Sequence, residues 1–117
     1  MTHDYEIDVA GMGSLRADEL SDLYGSVGWT AYTSSPDALA AAVANSSYVV
    51  VARADGRLIG LARVVSDDVS ICYLQDVLVR PEWQRRGVGR ALVARCLARY
   101  IHVRNKVLLT DEQAGQH

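Results

Sequence analysis

The sequence holds little that would staple, stiffen or anchor it. Two cysteines and two prolines in 117 residues exclude a disulfide scaffold and a collagen-like chain. An excess of charge of either sign is also missing. Lys plus Arg is 12 and Asp plus Glu is 14, a formal net charge of −2, so overall charge does not draw the chain to nucleic acid. No apolar run reaches the ~18 residues of a membrane span. The opening Met1-Thr2-His3-Asp4 does not read as a signal peptide, and the cytoplasm is the expected compartment. What remains is ordinary for a globular domain: 50% apolar and 22% charged residues, which excludes a disordered tail. One domain over residues 1–117 is expected, large enough to bury roughly two-thirds of its unfolded surface.

The cysteines fit a reducing compartment. Cys72 lies in an apolar strand-like run and Cys96 in a helix-like run. Neither has a Cys or His at zinc-ligand spacing, so both read as buried, reduced thiols. His3, His102 and His117 are scattered, and no metal site is expected.

Residues 5–10 alternate Tyr, Ile and Val with Glu and Asp, a short first strand. Leu20, Leu23, Tyr24 and Val27 recur at three- and four-residue steps, a helix over residues 15–28. Ser35, Pro36 and Asp37 open a second helix that ends near Asn45: a capping hydroxyl, a proline at the first helical position and an acid at the positive end of the dipole. Residues 48–53 are β-branched and apolar, and Asp55-Gly56 is a strong two-residue hairpin signal. Residues 58–65 return. Residues 71–79 form a long, almost wholly apolar strand, a pattern of burial on both faces. A helix over residues 88–100 keeps Val88, Ala91, Leu92, Cys96 and Tyr100 on one side. Residues 106–110 form a last strand, and 111–117 a polar tail. The order is β-α-α-β-β-β-α-β: an α/β (α+β) domain whose sheet is mixed and mostly antiparallel, with the last two strands parallel across a crossover helix.

The segment that carries chemistry runs from Val77, Leu78 and Val79 through a loop to Gly87 and Gly89, at the first turn of a helix. A helix start leaves unpaired N–H groups and a partial positive charge, and glycines there let a phosphate approach the backbone. Arg80, Arg85, Arg86 and Arg90 crowd this stretch of a net-acidic chain, which points to a discrete anionic ligand. A dinucleotide fingerprint would need a third glycine where Leu92 stands and a shorter loop, although Asp111 falls about where a ribose-binding acid would sit. A Walker loop would need Lys and Ser or Thr where Arg90 and Ala91 stand.

Gln84-Arg85-Arg86-Gly87-Val88-Gly89 resembles the Q/R-x-x-G-x-G/A signature of the GNAT superfamily of acyl-CoA-dependent N-acetyltransferases, and Val79-Arg80-Pro81-Glu82 resembles the family's strand exit. The resemblance extends over about residues 5–112. It implies a central sheet with splayed strands and acetyl-CoA as co-substrate. The backbone of Val77, Leu78 and Val79 would pair with the pantetheine arm. The N–H groups of Arg85, Arg86, Gly87, Val88, Gly89 and Arg90 would hold the pyrophosphate, with the arginine side chains adding charge-assisted contacts. The implied reaction is direct acetyl transfer to a primary amine through a tetrahedral intermediate, with a backbone N–H near Leu78 or Val79 stabilising the oxyanion.

Family members often place a Glu or His base at the positions held here by Tyr73 and Gln75. Neither is a good base at neutral pH, so the expectation is that they orient water or substrate. Asp76 is the strand's one carboxylate, and strict alternation turns it to the other face. The resemblance also implies an acceptor wall between the first two helices, where Tyr24, Trp29 and Tyr32 could pack around an amine of a small molecule or peptide. The family usually continues past the last strand with a helix, often bearing a Tyr acid, and two more strands, whereas this sequence ends at His117. A C-terminally short domain lacking that last helix and those strands, with an exposed edge at residues 106–110 and a homodimer formed by strand addition, is therefore expected. Three readings stay open: an active transferase, a CoA-binding domain without catalysis, and a phosphate-ligand module without acyl chemistry.

Overall fold

A computed structural model describes residues 4–11 and 14–108. Its topology grows from one hairpin. Asp55 and Gly56 take φ of 50° and 80°, so both are left-handed, as a tight turn matched to right-handed strand twist requires. They join β2 (Tyr48–Ala54) to β3 (Arg57–Ser66). On one side β2 pairs antiparallel with β1 (Glu6–Val9). On the other, β3 pairs antiparallel with β4 (Ile71–Val79), which pairs in parallel with β5 (Asn105–Leu108). Sheet order is β1-β2-β3-β4-β5. The mixed, mostly antiparallel sheet and the parallel final pair match expectation. The rest of the expected last strand (Leu109 and Thr110), Asp111, the tail to His117, and His3 lie outside the described residues.

Both faces of the sheet are covered. Helix α4 (Val88–Arg99) packs Val88, Leu92 and Cys96 on one face, over Ile59, Ala62 and Leu74. Helices α1 (Ala17–Ser26), α2 (Thr30–Thr33) and α3 (Pro36–Ala44) cover the other, with Leu20, Leu23 and Leu39 against Val49, Val51 and Leu61. The one-turn helix α2 lies between the two helices expected before β2, where the sequence pattern shows no element. Ser35 does stand at the N-cap of α3 with Pro36 following, but its side chain makes no capping bond.

The cysteines are buried and free, as expected. Burial pushes the Cys96 thiol up to about 12. Among the described residues no cluster of His, Cys, Asp or Glu could hold a metal ion, and no helix is long and apolar enough to cross a membrane.

One irregularity decides what faces where. Arg63 pairs with Asp76 and Val64 with Leu74, leaving Gln75 as an extra residue in β4. Such a bulge breaks the two-residue alternation. Before it, Cys72 and Leu74 face α4; after it, Val79 faces α4, while Leu78 packs with α1 and α3. Asp76 therefore goes to the side of the first helices.

Candidate functional site

The second half of β4 borders a cleft. Arg80 donates its N–H to the Ile59 carbonyl at 2.8 Å. Antiparallel alternation then turns the backbone groups of Leu78 toward β3, so Leu78 is not available for the pairing and oxyanion contact expected of it, and turns those of Val77 and Val79 away from β3. β5 pairs with β4 only from Ile71 to Leu74, so among the described residues no strand lies against Val77 and Val79 along this edge of β4. The Gln84 amide closes one end of it, donating Nε2 to the Val79 carbonyl at 3.0 Å. The cleft, about 480 Å³, is lined by Val77, Leu78 and Val79 together with Val27, Trp29 and Gln84.

Beside this edge α4 begins. Gly87 is its N-cap with φ 84°, and Arg85 is left-handed too, at φ 65°. A non-glycine residue there carries roughly 1–2 kcal/mol of strain, and held strain of this kind gathers at functional sites. The first bond within α4 runs from Ala91 N–H to the Gly87 carbonyl at 3.0 Å. The N–H groups of Val88, Gly89 and Arg90 precede it, and the N-cap offers them no side-chain bond. The helix dipole adds partial positive charge at the same point. Arg85, Arg86 and Arg90 are exposed and form no ion pair among the described residues. Arg86 lies over the Trp83 ring, 4.8 Å from its centroid.

Arg80 departs from the expected cluster. It is 3% exposed. Its Nε donates to the Leu58 carbonyl at 2.8 Å, and its Nη2 pairs with Asp22 on α1. The buried Arg80 is thus a tie between β3, α1 and the loop, and its charge is already balanced. Glu82 in that loop is likewise engaged, by Arg57 at 3.4 Å.

Across the cleft, Tyr24, Trp29 and Tyr32 do come together. Their ring centroids are 5.7 Å (Tyr24–Trp29), 5.0 Å (Tyr24–Tyr32) and 6.1 Å (Trp29–Tyr32) apart. Trp29 lines the cleft. Tyr24 is fully buried, so it backs the wall where sequence reasoning had it touch a substrate. Burial, with the Asp76 carboxylate beside it, pushes its phenol above the ordinary range. Tyr73 and Gln75 are half-buried and do not line the cleft. Tyr73 stands between Val65 and Val107, and Gln75 forms the bulge. Asp76, set aside by strict alternation, accepts from the Tyr24 hydroxyl at 2.8 Å and the Tyr32 hydroxyl at 3.3 Å, and pairs with Arg63. Only the bulge, which apolar patterning does not announce, could have revealed it.

A strand edge, a glycine-bearing helix start and this strand order are the setting in which residues 9–116 match the model of the Acetyltransferase (GNAT) family. The chain belongs to that family. Among relatives of this GNAT chain, Histone acetyltransferase TAP1 of Glycine max is 32% identical over 114 residues, covering 86% of this chain and 48% of the relative. The chain thus spans about half of that protein's length. A GNAT family acetyltransferase from Streptococcus pneumoniae superposes with a TM-score of 0.78 at 27% identity, over 92% of this chain and 76% of that one. The aminoglycoside acetyltransferase AAC(6')-Iy, solved with the bisubstrate analogue CoA-S-monomethyl-acetylneamine, shares the fold. Its TM-score is 0.72 at 16% identity, over 98% of this chain and 84% of that one. The GNAT signature residues Gln84, Gly87 and Gly89 have separate structural parts here: an amide on the Val79 carbonyl, a left-handed cap, and a helical glycine facing Val79.

Proposed function

We propose that this chain is an N-acetyltransferase that moves the acetyl group of acetyl-CoA to a primary amine of a small molecule or peptide. The observation that carries the reading is a juxtaposition. An open β4 edge at Val77 and Val79 shares one cleft with Gln84, and the loop holding Gln84 leads into the uncapped amides of α4. The surroundings fit the co-substrate. The amides of Val88, Gly89 and Arg90 match a pyrophosphate in charge and direction. Arg85, Arg86 and Arg90 stand near without acidic competitors among the described residues, and they suit phosphate oxygens. The outward backbone groups of Val77 and Val79 can take an extended amide-bearing arm as a neighbouring strand would.

Acetyl-CoA supplies the acyl group as a thioester already activated toward amines. The chain's part is to bind, orient and exclude water. The Val77 and Val79 N–H groups are its preorganised donors toward a carbonyl oxygen at the edge. Trp29 offers a flat apolar face to the incoming amine, and the buried Tyr24 keeps that face in place. Tyr73 and Gln75, the residues expected to orient water or substrate, are assigned no contact with the reacting atoms.

Calorimetry with acetyl-CoA tests the first half of the reading. A Cβ at Gly89 would sit 3.7 Å from Val79 Cγ2, an ordinary contact, so a side chain can start there; Gly89→Trp is expected to fill the edge of the cleft, and a thermal melt of the variant checks that it folds. Loss of acetyl-CoA binding in that variant supports the site, and retained tight binding refutes it. An amine panel read by release of free CoA thiol tests the second half. Binding without thiol release for any amine would leave a CoA-binding domain and overturn the transferase reading.

A further inference from the structure

The strongest unexplained feature lies behind the cleft. Asp76 is 3% exposed and Arg63 8%, and they form an ion pair through Arg63 Nε and Asp76 Oδ2. Oδ2 also accepts from the Tyr24 hydroxyl at 2.8 Å, and Oδ1 from the Tyr32 hydroxyl at 3.3 Å. Arg63 is held in turn by Ser46, Nη1 to Oγ at 3.2 Å. Stability alone is a poor account of such a cluster, because well-packed apolar residues generally serve a core as well as a buried ion pair does. What this cluster does that apolar residues would not is fix two phenols from two different helices on one carboxylate.

The helix that needs fixing is α2. Its four residues, Thr30–Thr33, include none that is fully buried, so apolar packing holds it weakly. Trp29 is its N-cap and contacts the Tyr24 and Tyr32 rings. Trp29 is also the aromatic lining of the cleft.

We propose that Asp76 is a positioning residue for the acceptor side. Turned to the helices by the Gln75 bulge and balanced by Arg63, its carboxylate holds the Tyr24 and Tyr32 hydroxyls, and through their rings it sets the Trp29 wall. This rests on the cleft being the amine site of a transferase.

Asp76→Asn leaves Arg63 buried beside a neutral group and risks unfolding, so the decisive variant is Tyr24→Phe with Tyr32→Phe. It keeps both rings and the Asp76–Arg63 pair and removes only the two hydroxyl ties. In a Trp83→Phe background Trp29 is the sole indole and reports on the wall. The expected result has three parts. Acrylamide quenching of Trp29 rises. KM for the fastest amine of the panel rises about tenfold while kcat changes less, tenfold being the scale of one hydrogen bond to a charged group. Acetyl-CoA affinity stays within about a factor of two, far below a tenfold step. Unchanged quenching overturns the proposal. So does increased quenching with unchanged KM, since the tie would then serve packing alone. Absence of turnover with every amine in the unmodified chain defeats the transferase reading and the proposal with it, whereas turnover with an unmoved KM in the double variant defeats the proposal alone.

Discussion

Replacing Gly60 with alanine tests how closely α4 must sit on the sheet. A Cβ there would lie 3.2 Å from Leu92 Cδ1, 3.3 Å from the Leu78 carbonyl oxygen and 3.3 Å from Val88 Cγ1. Each neighbour must give by a few tenths of an ångström, and none gives easily. The oxygen belongs to the β3–β4 ladder, where Gly60 lies opposite Val79 and Leu61 opposite Leu78. Val88 and Leu92 are closed in the core under α4. Overpacking of this kind costs about 1–3 kcal/mol. The smaller conformational freedom of alanine in the unfolded chain offsets about 0.4–1 kcal/mol, which leaves a net loss of about 1–2 kcal/mol. For a domain of this size that is a fall in Tm of about 4–8 °C. Gly25→Ala is the control. Its Cβ would meet only Thr33 Cγ2, at 3.6 Å, inside α1, where alanine is favoured over glycine by about 0.5–1 kcal/mol. One melt should therefore fall and the other rise.

The same variant reaches function, because Val88 opens α4. Moving Val88 outward moves the amides of Gly89 and Arg90 from the β4 edge, and acetyl-CoA affinity should drop together with Tm. Thermal melts and calorimetry on the two variants read both effects. A Gly60→Ala protein as stable as its parent would show that α4 is not seated by this contact.

Other consequences are as direct. Alanine at Arg85 or Arg90 should weaken acetyl-CoA binding several-fold at low salt and flatten its salt dependence, since exposed charges are screened within about 10 Å at 0.1 M; equal loss at all ionic strengths would rule out the electrostatic assignment. Alanine at Arg80 should destabilise the fold by about 1–3 kcal/mol in urea melts through loss of its buried bonds to Leu58 and Asp22, and a neutral effect would contradict its reassignment from ligand to tie. The Cys96 thiol is raised from 9.0 to about 12 by burial. The unfolded chain therefore gives up this proton first, and stability present below pH 9 should decline toward pH 12, by at most about 1.4 kcal/mol per pH unit for one group. Urea melts of Cys96→Val should show a shallower alkaline decline, and an identical decline would assign the effect to other groups.

Most of the fold was legible because local chemistry and tertiary packing agree. Asp55-Gly56 requires a left-handed pair and receives one. The β-branched run of β2 is buried on both faces, and the crossover helix makes β4 and β5 parallel. The helix start was legible for the same reason: spacing alone displays the two glycines and the exposed arginines that the structure sets around the first turn of α4. The acceptor side was less so. Alternation misplaced Asp76 because one extra residue reverses the faces of β4. Counting arginines misassigned Arg80, since a charge count does not see that Asp22, 58 positions away, balances it. The one-turn α2 carries too few residues for periodicity to register.

The extra residue in β4 also shapes how this chain can diverge. Side chains before Gln75 and after it keep their proper faces only because the two halves of the strand are out of phase by one position. Substitutions along β4 change one contact each; losing Gln75 would make Leu74 and Asp76 neighbours opposite Val64 and Arg63 with both faces kept, whereas losing a residue elsewhere in the strand would invert one side of it. Drift in letters is open to this strand; drift in length is closed except at the bulge, and a deletion library across residues 71–79 should be depleted far beyond its substitution counterpart everywhere but at Gln75.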